Sequence, residues 1–243
     1  MSTWSVMFQH PRDIGYETEG YDLPDLNIIQ HTVGVDYDQN DLSTLFPMEA
    51  HTMQERITAR KETISERVDK CAELISSIDD YAVIWCNLNA ESEAIAKALD
   101  DTVELKGSLT DDRKEAILRD FSRGNIKRLV TKASISGFGM NWQHCHNTAF
   151  LGLNDSYEQV YQAIRRFYRF GQKHAVNAHF IAAETEGQVV KNIERKEKQF
   201  LEMQSKMIEH MKDLNEVNAH GSLRNKTKYE NTINMKLPTW IGG

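Results

Sequence analysis

The chain has no glycine-rich loop of the form G-x-x-x-x-G-K-[ST] and no Asp-Glu pair after an apolar strand, so it lacks both a cradle for β- and γ-phosphates and an acidic anchor for Mg²⁺. No apolar run approaches the roughly 20 residues of a membrane span, and the amino terminus has neither a basic start nor a signal-type apolar segment. Nothing in it addresses the protein to a membrane. The 3 cysteines, Cys71, Cys86 and Cys145, are odd in number and irregularly spaced, which argues against a disulfide framework and for a reducing compartment. His144-Cys145-His146 invites a metal reading, but no second Cys/His pair stands at a ligand spacing and a closed zinc site needs about four ligands; hydrogen-bonded rings are expected instead, and no metal site. No Ser-His-Asp or Cys-His arrangement is legible. Of only 4 prolines, three fall before residue 48.

What is present is a soluble, globular composition, 40% hydrophobic and 27% charged, in 243 residues that can hold one large domain or two small ones. The net charge of −7 is unevenly spread. Residues 1–112 carry 8 Lys and Arg against 23 Asp and Glu, whereas residues 113–132 carry 7 against 2. The basic stretch from Arg113 to Lys132, with the cluster Arg165 to Lys173, is expected to make a local phosphate-binding surface.

Residues 1–48 show little helical pattern. Trp4–Phe8 and Leu26–Val35 read as short strands joined by a turn-rich segment between Pro11 and Pro24, a connector that needs something to pack against. From about Pro47 to Ser77, Ile57, Ile64, Val68, Cys71, Ile75 and Ile78 recur at helical spacing, predicting one long amphipathic helix, broken once near Thr58, whose charged residues form a solvated face. Strands and helices then alternate: a strand at Tyr81–Cys86, a helix over 90–99 capped by Asn89, a strand at Thr102–Leu105, a turn at Gly107-Ser108 and a helix over 111–122 capped by Thr110 or Asp111. Further strands follow at Arg128–Thr131, Asn147–Leu151 and Ala175–Ala182. Such alternation predicts an α/β fold with a mainly parallel sheet and helices on both faces. A charged helix from about Gly187 to Leu214 carries an apolar stripe that packs on the domain, and a polar tail from about residue 216 has Leu237–Ile241 as a late anchor.

The stretch Gln162 to Gln172 organises the rest. Read as a helix from about Ser156 that Gly171 ends, it buries Tyr157, Val160, Tyr161, Ile164 and Tyr168 on one side and projects Gln162, Arg166 and Arg169 from the other. Two guanidinium forks on one edge repel each other unless an anion lies opposite, and phosphate suits them. The plainer alternative is a solvated face with Arg–carboxylate pairs. Upstream, residues 131–142 form a small-residue loop after a strand, where open α/β sheets place ligands and where glycines let backbone amides approach phosphate.

The pattern Q-x-x-x-R-x-x-R-x-G-Q resembles the last helicase motif of superfamily 2, in the form carried by the Swi/Snf-type branch of DNA translocases. Thr131-Lys132-Ala133 followed by Gly137-Phe138-Gly139-Met140-Asn141-Trp142 resembles the fifth motif, two residues longer than the common form and with Ser136 in place of a glycine. The Ile84–Asn87 strand end and the Lys106-Gly107-Ser108 turn followed by Arg113 resemble two earlier motifs. Asn154-Asp155-Ser156-Tyr157 stands where Asp-Trp-Asn-Pro is common. The resemblance covers about residues 80–182. It implies a RecA-like lobe over residues 49–215, with residues 1–48 as an inter-lobe connector or extension and 216–243 as a polar tail.

By the same resemblance, ATP with Mg²⁺ would be held mainly by an N-terminal RecA-like lobe supplied in cis or in trans. Arg166 and Arg169 would act as arginine fingers with Gln162 ordering the cleft, and Gly139 and Asn141 would face the nucleotide. Thr131, Lys132, Asn87, Gly107, Ser108 and Arg113 would touch DNA, duplex in preference to single strand. Prophage-type members of the branch have a similar link between lobes, so the expected setting is phage, in the bacterial cytoplasm. The chain alone is then half an ATPase. The competing expectation is a non-catalytic nucleic-acid-binding or regulatory lobe that docks on another protein.

Overall fold

A computed structural model describes residues 10–14, 16–17, 21–34, 58, 60–136, 140–153 and 156–219, the side chains of residues 185, 188 and 212–219 aside. The chain divides into two compact units, one of residues 19–204 and one of residues 1–18 with 205–243. In the smaller unit, Pro11–Ile14 form a 3-10 turn in which the Asp13 carboxylate accepts the His10 N–H at 2.9 Å.

The larger unit is built on six strands, β1 (Leu26–Val33), β2 (Ala82–Cys86), β3 (Thr102–Glu104), β4 (Arg128–Lys132), β5 (Asn147–Phe150) and β6 (Val176–Ala183), in the order β1-β6-β5-β2-β4-β3. Every pairing is parallel. All five residues of β2 and all four of β5 are buried, as a strand covered on both faces requires. The helices are α1 (Ile64–Ser76), α2 (Asn89–Ala98), α3 (Asp111–Ser122), α4 (Ala133–Ser136), α5 (Tyr157–Ile164) and α6 (Gly187–Ala219).

The core is two clusters, one on each face of the sheet. Val68, Cys71 and Ile75 of α1 and Ile95 of α2 pack with Ala82, Ile84, Val130, Ala149 and Ile181. Ile117 and Phe121 of α3, Val160 and Ile164 of α5, and Val189 and Ile193 of α6 pack with Val83, Trp85, Leu129, Phe150 and Phe180 on the other side. The α/β class with helices on both faces is therefore as the alternation of elements predicts, and the fold is RecA-like.

Several local expectations are corrected. The strand assigned to a connector is β1, the outer strand of the sheet, in register with β6 over eight residue pairs. Asn89 is the first helical residue of α2 and not its cap; the Glu91 carboxylate takes the amides of Asn87 and Leu88, each at 2.9 Å, and so does a cap's work. The small-residue loop begins with a helical turn, α4. α5 stops at Ile164, seven residues before Gly171. The charged residues of α1 are not all solvated, because Arg67 is fully buried. Trp4–Phe8, residues 47–57 and the tail with its anchor at Leu237–Ile241 lie outside the described residues. Among the described residues, no helix is long and apolar enough to cross a membrane.

Candidate functional site

Along the chain, β3 and β4 are added on one side of β2 and β5 and β6 on the other, so the strand order reverses at β2. A crevice opens beyond the carboxyl ends there, the usual ligand position in an open parallel sheet. A cleft of about 130 Å³ lies at that point, lined by Trp85, Asn87, Lys132, Ser134, Phe150, Gly152 and Gln159 among others. Asn87 and Lys132, expected on a nucleic-acid track, thus share one cavity. Gly107 and Ser108 are exposed in the turn after β3, and a Cβ on Gly107 would stand 3.7 Å from Ile135 of α4, which places this turn beside the residues following Lys132. Arg113 is exposed on α3.

Thr131 behaves differently. Its side chain is fully buried, its hydroxyl accepts from the Ser136 hydroxyl at 3.1 Å and lies 3.5 Å from the Leu105 carbonyl. The expected contact with a nucleic-acid backbone is not available to that side chain, which instead ties α4 to the end of β4.

The wall of the cleft rests on a buried ionic group with no counterpart in the sequence expectations. Arg67 donates through Nη1 to Glu91 at 2.7 Å and to the Leu151 carbonyl, through Nη2 to the Arg60 carbonyl, and through Nε to Thr63 Oγ1 at 3.2 Å. Glu186 lies 3.5 Å from Arg67 Nε and accepts from Arg60 Nε at 2.9 Å, while its other contact is the Ala183 N–H at 3.1 Å. Taking these charges out of water is costly, and the arrangement is tolerable because the donors of the Arg67 fork are almost all engaged. The group joins α1, the β2–α2 loop and the ends of β5 and β6, and so holds Asn87 and Gly152 in place. A signal for it existed: Arg67 stands four residues before Cys71 and three after Ile64, on the apolar side of its helix.

The arginine pair occupies the other end of α5. After Ile164 the chain tightens, with the N–H groups of Arg166 and Phe167 turned to carbonyls three residues back. Three long-range demands cause this. Phe167 is drawn wholly into the core against Trp85 and Trp142, the Arg166 carbonyl accepts the Trp142 N–H at 2.9 Å, and Gln172 Nε2 donates to the carbonyls of Cys145 and Phe167 at 3.1 and 3.3 Å. Gly171 adopts φ +92, which lets the chain reverse toward β6. The Gly-Gln that closes the motif is therefore a backbone staple.

Arg166, only 7% exposed, donates through Nη1 to the Met140 carbonyl at 3.1 Å, and Arg169 donates to Asn141 Oδ1. Each guanidinium thus donates to an oxygen of the segment 140–141. Burial, and then the positive charge of Arg169, lower the pKa of Arg166, so the two cations are close enough to repel. Asn141, expected at a nucleotide cleft, is brought to the arginines; Gly139 lies outside the described residues. Gln162 is half-buried on α5.

His144, Cys145 and His146 are occupied inside the domain. Cys145 is fully buried, its thiol pushed up to about 12 by that burial, with Sγ 3.3 Å from the Asn147 carbonyl. His144 lies edge-on to Tyr81, and His146 stacks on His174. Among the described residues there is no group of three or more His, Cys, Asp or Glu that could hold a metal.

A parallel sheet covered on both faces, with a crevice at its strand-order reversal, defines a RecA-like lobe. The family model described as helicase conserved C-terminal domain matches residues 66–171, from α1 through the arginine stretch. That segment is therefore similar to helicase C-terminal domains. No curated protein matches the sequence. Among solved structures, Dbp5 of S. cerevisiae bound to RNA and ADP BeF3 is similar at 12% identity and a TM-score of 0.53, over 78% of this chain and 42% of that one. Its L327V form, with the same ligands, gives 13% identity and 0.51 over 70% and 39%. The C-terminal part of the Fun30 ATPase domain gives 16% identity and 0.48 over 53% and 45%. The chain thus spans under half the length of these three.

Proposed function

We propose that this lobe is the second half of an ATP-dependent helicase or translocase of superfamily 2, Swi/Snf-type, acting on DNA. ATP with Mg²⁺ is bound mainly by an N-terminal RecA-like lobe, and the setting is a phage or prophage in a bacterial cytoplasm. In this reading Arg166 and Arg169 meet the charge that develops on the transferred phosphoryl group, Asn141 holds Arg169 in line and Gln162 orders the cleft. Asn87, Lys132, Gly107, Ser108 and Arg113 meet the nucleic-acid backbone along the carboxyl edge of the sheet.

The observation that carries the reading is the convergence of two guanidiniums on one loop, Arg166 on the Met140 carbonyl and Arg169 on the Asn141 amide oxygen. Two guanidinium forks gathered beside one loop suit a phosphate presented by a facing lobe. The donor set fits a phosphate and does not fit a metal ion.

The test is Arg169→Ala in the complete two-lobe protein, measuring DNA-stimulated ATP hydrolysis. An arginine of this kind is worth about 10³–10⁵ in rate. Turnover is expected to fall to that extent while circular dichroism of the lobe is unchanged. Turnover close to wild type would remove the finger role and favour a non-catalytic lobe.

A further inference from the structure

The segment before β1 and the segment before β6 run together at the amino ends of those strands, where the Val176 N–H donates to the Asp25 carbonyl at 2.8 Å. There Tyr21 and Phe170 stack with ring centroids 5.0 Å apart and planes inclined by 29°. Neither ring is covered: Tyr21 is 48% and Phe170 61% exposed, the latter the most exposed large apolar side chain among the described residues. The backbone beneath is held, because Gln143 Nε2 donates to the Phe170 carbonyl at 3.2 Å and the positive φ of Gly171 sets the turn.

We propose that Tyr21 and Phe170 form a stacking platform for the purine ring of the nucleoside triphosphate whose phosphates meet Arg166 and Arg169. This rests on the reading of the arginines given above and adds a base subsite to it. An aromatic pair used only for packing would be enclosed, whereas both rings of this stacked pair are about half open to solvent, so that a base can continue the stack on an outer face. The neighbouring charge gives the occupant its second half. Phe170 follows Arg169 directly, their Cα atoms about 3.8 Å apart, so ring recognition and anion recognition leave the backbone side by side. A molecule with a planar heterocycle and a polyanion answers both. Tyr21 comes from outside the residues matching the helicase C-terminal domain, so the platform is assembled by β1 joining the sheet edge.

The experiment is an amide NMR titration of the ¹⁵N-labelled 243-residue chain with adenosine, with inorganic triphosphate and with ATP, each with Mg²⁺. Adenosine and ATP are expected to shift the amides of Tyr21 and Phe170, and triphosphate to shift that of Arg169 alone. In Phe170→Ala and Tyr21→Ala, both at solvent-facing positions, adenosine affinity is expected to fall about tenfold with the triphosphate response kept. Adenosine leaving both amides unmoved while triphosphate shifts Arg169 overturns the platform and leaves the arginine reading standing. Adenosine affinity undiminished in Phe170→Ala also overturns it. Silence toward all three ligands likewise overturns the platform, while the arginine reading is decided by Arg169→Ala in the two-lobe protein.

Discussion

Arg67 and Glu91 meet at 2.7 Å with both side chains wholly out of water, one on α1 and the other in the first turn of α2. Removing one partner strands the other charge, and such losses run to about 3–5 kcal/mol. Glu91→Ala is expected to lower the unfolding midpoint accordingly, at about 2–4 °C per kcal/mol for a domain of this size. Glu91→Gln is expected to cost less, since its amide oxygen still accepts from Asn87 or Leu88. Thermal denaturation measures both, and an unaltered midpoint in Glu91→Ala would show the pair to be energetically idle.

Gly152 packs against that same carboxylate. A Cβ there would stand 2.8 Å from the Glu91 carboxyl carbon, and Arg67 and two backbone amides pin the group so that it cannot withdraw. Gly152→Ala is therefore expected to destabilise by about 1–3 kcal/mol. Combined with Glu91→Ala it should cost less than the sum of the two single changes, because the clash disappears with the carboxylate. Strict additivity in denaturant titrations would contradict the packing.

His31 of β1 and His179 of β6 share a hydrogen bond of 3.0 Å with their rings stacked. Burial lowers both pKa values below the ordinary 6.5; for His31 the charge of Lys70 adds to the lowering while Glu73 opposes it, and for His179 the charge of His31 adds to it. The folded chain therefore binds these protons less readily than the unfolded chain. Stability from the pair is complete above pH 6.5 and is lost as the pH falls through the lowered folded values. Denaturant midpoints measured across that range should decline in the wild type and decline less in the His31→Asn, His179→Asn double variant.

Lys132 and Asn87 share the cleft at the carboxyl edge and differ in charge. If the cleft tracks a nucleic-acid backbone, Lys132→Ala in the two-lobe protein is expected to reduce the slope of log affinity against log salt by about 1. Asn87→Ala should weaken binding with the slope preserved. Filter binding to duplex DNA at graded salt reads both, and an unchanged slope in Lys132→Ala would move the track elsewhere.

The alternation of elements was legible because burial on both faces writes β2 and β5 as continuous apolar runs and the helices as 3.6-residue stripes. What escaped was set by distant partners. α5 stops at Ile164 because Trp142, Cys145 and the core around Phe167 claim the atoms a longer helix would have used. The arginines consequently leave from a turn and not from a helical edge, although Arg166 and Arg169 still converge on residues 140–141. Asn89 lost its capping role to a side chain two residues on. Arg67 stood on an apolar stripe in plain sight, but its partners lie 24 residues away on α2 and more than a hundred away at Glu186, and no local pattern links them.

The parallel pairing of β1 with β6 also bears on how the protein is made. Partners across that ladder are 150 residues apart in the chain. At ribosomal speeds, roughly 8–30 s separate the appearance of the two strands. For that interval Ile28 and Ile29 sit on a strand whose neighbour does not yet exist, and even in the finished sheet they are 39% and 37% exposed. The nascent chain thus carries an unpaired strand through that interval, and its yield should depend on how quickly translation passes from residue 33 to residue 183.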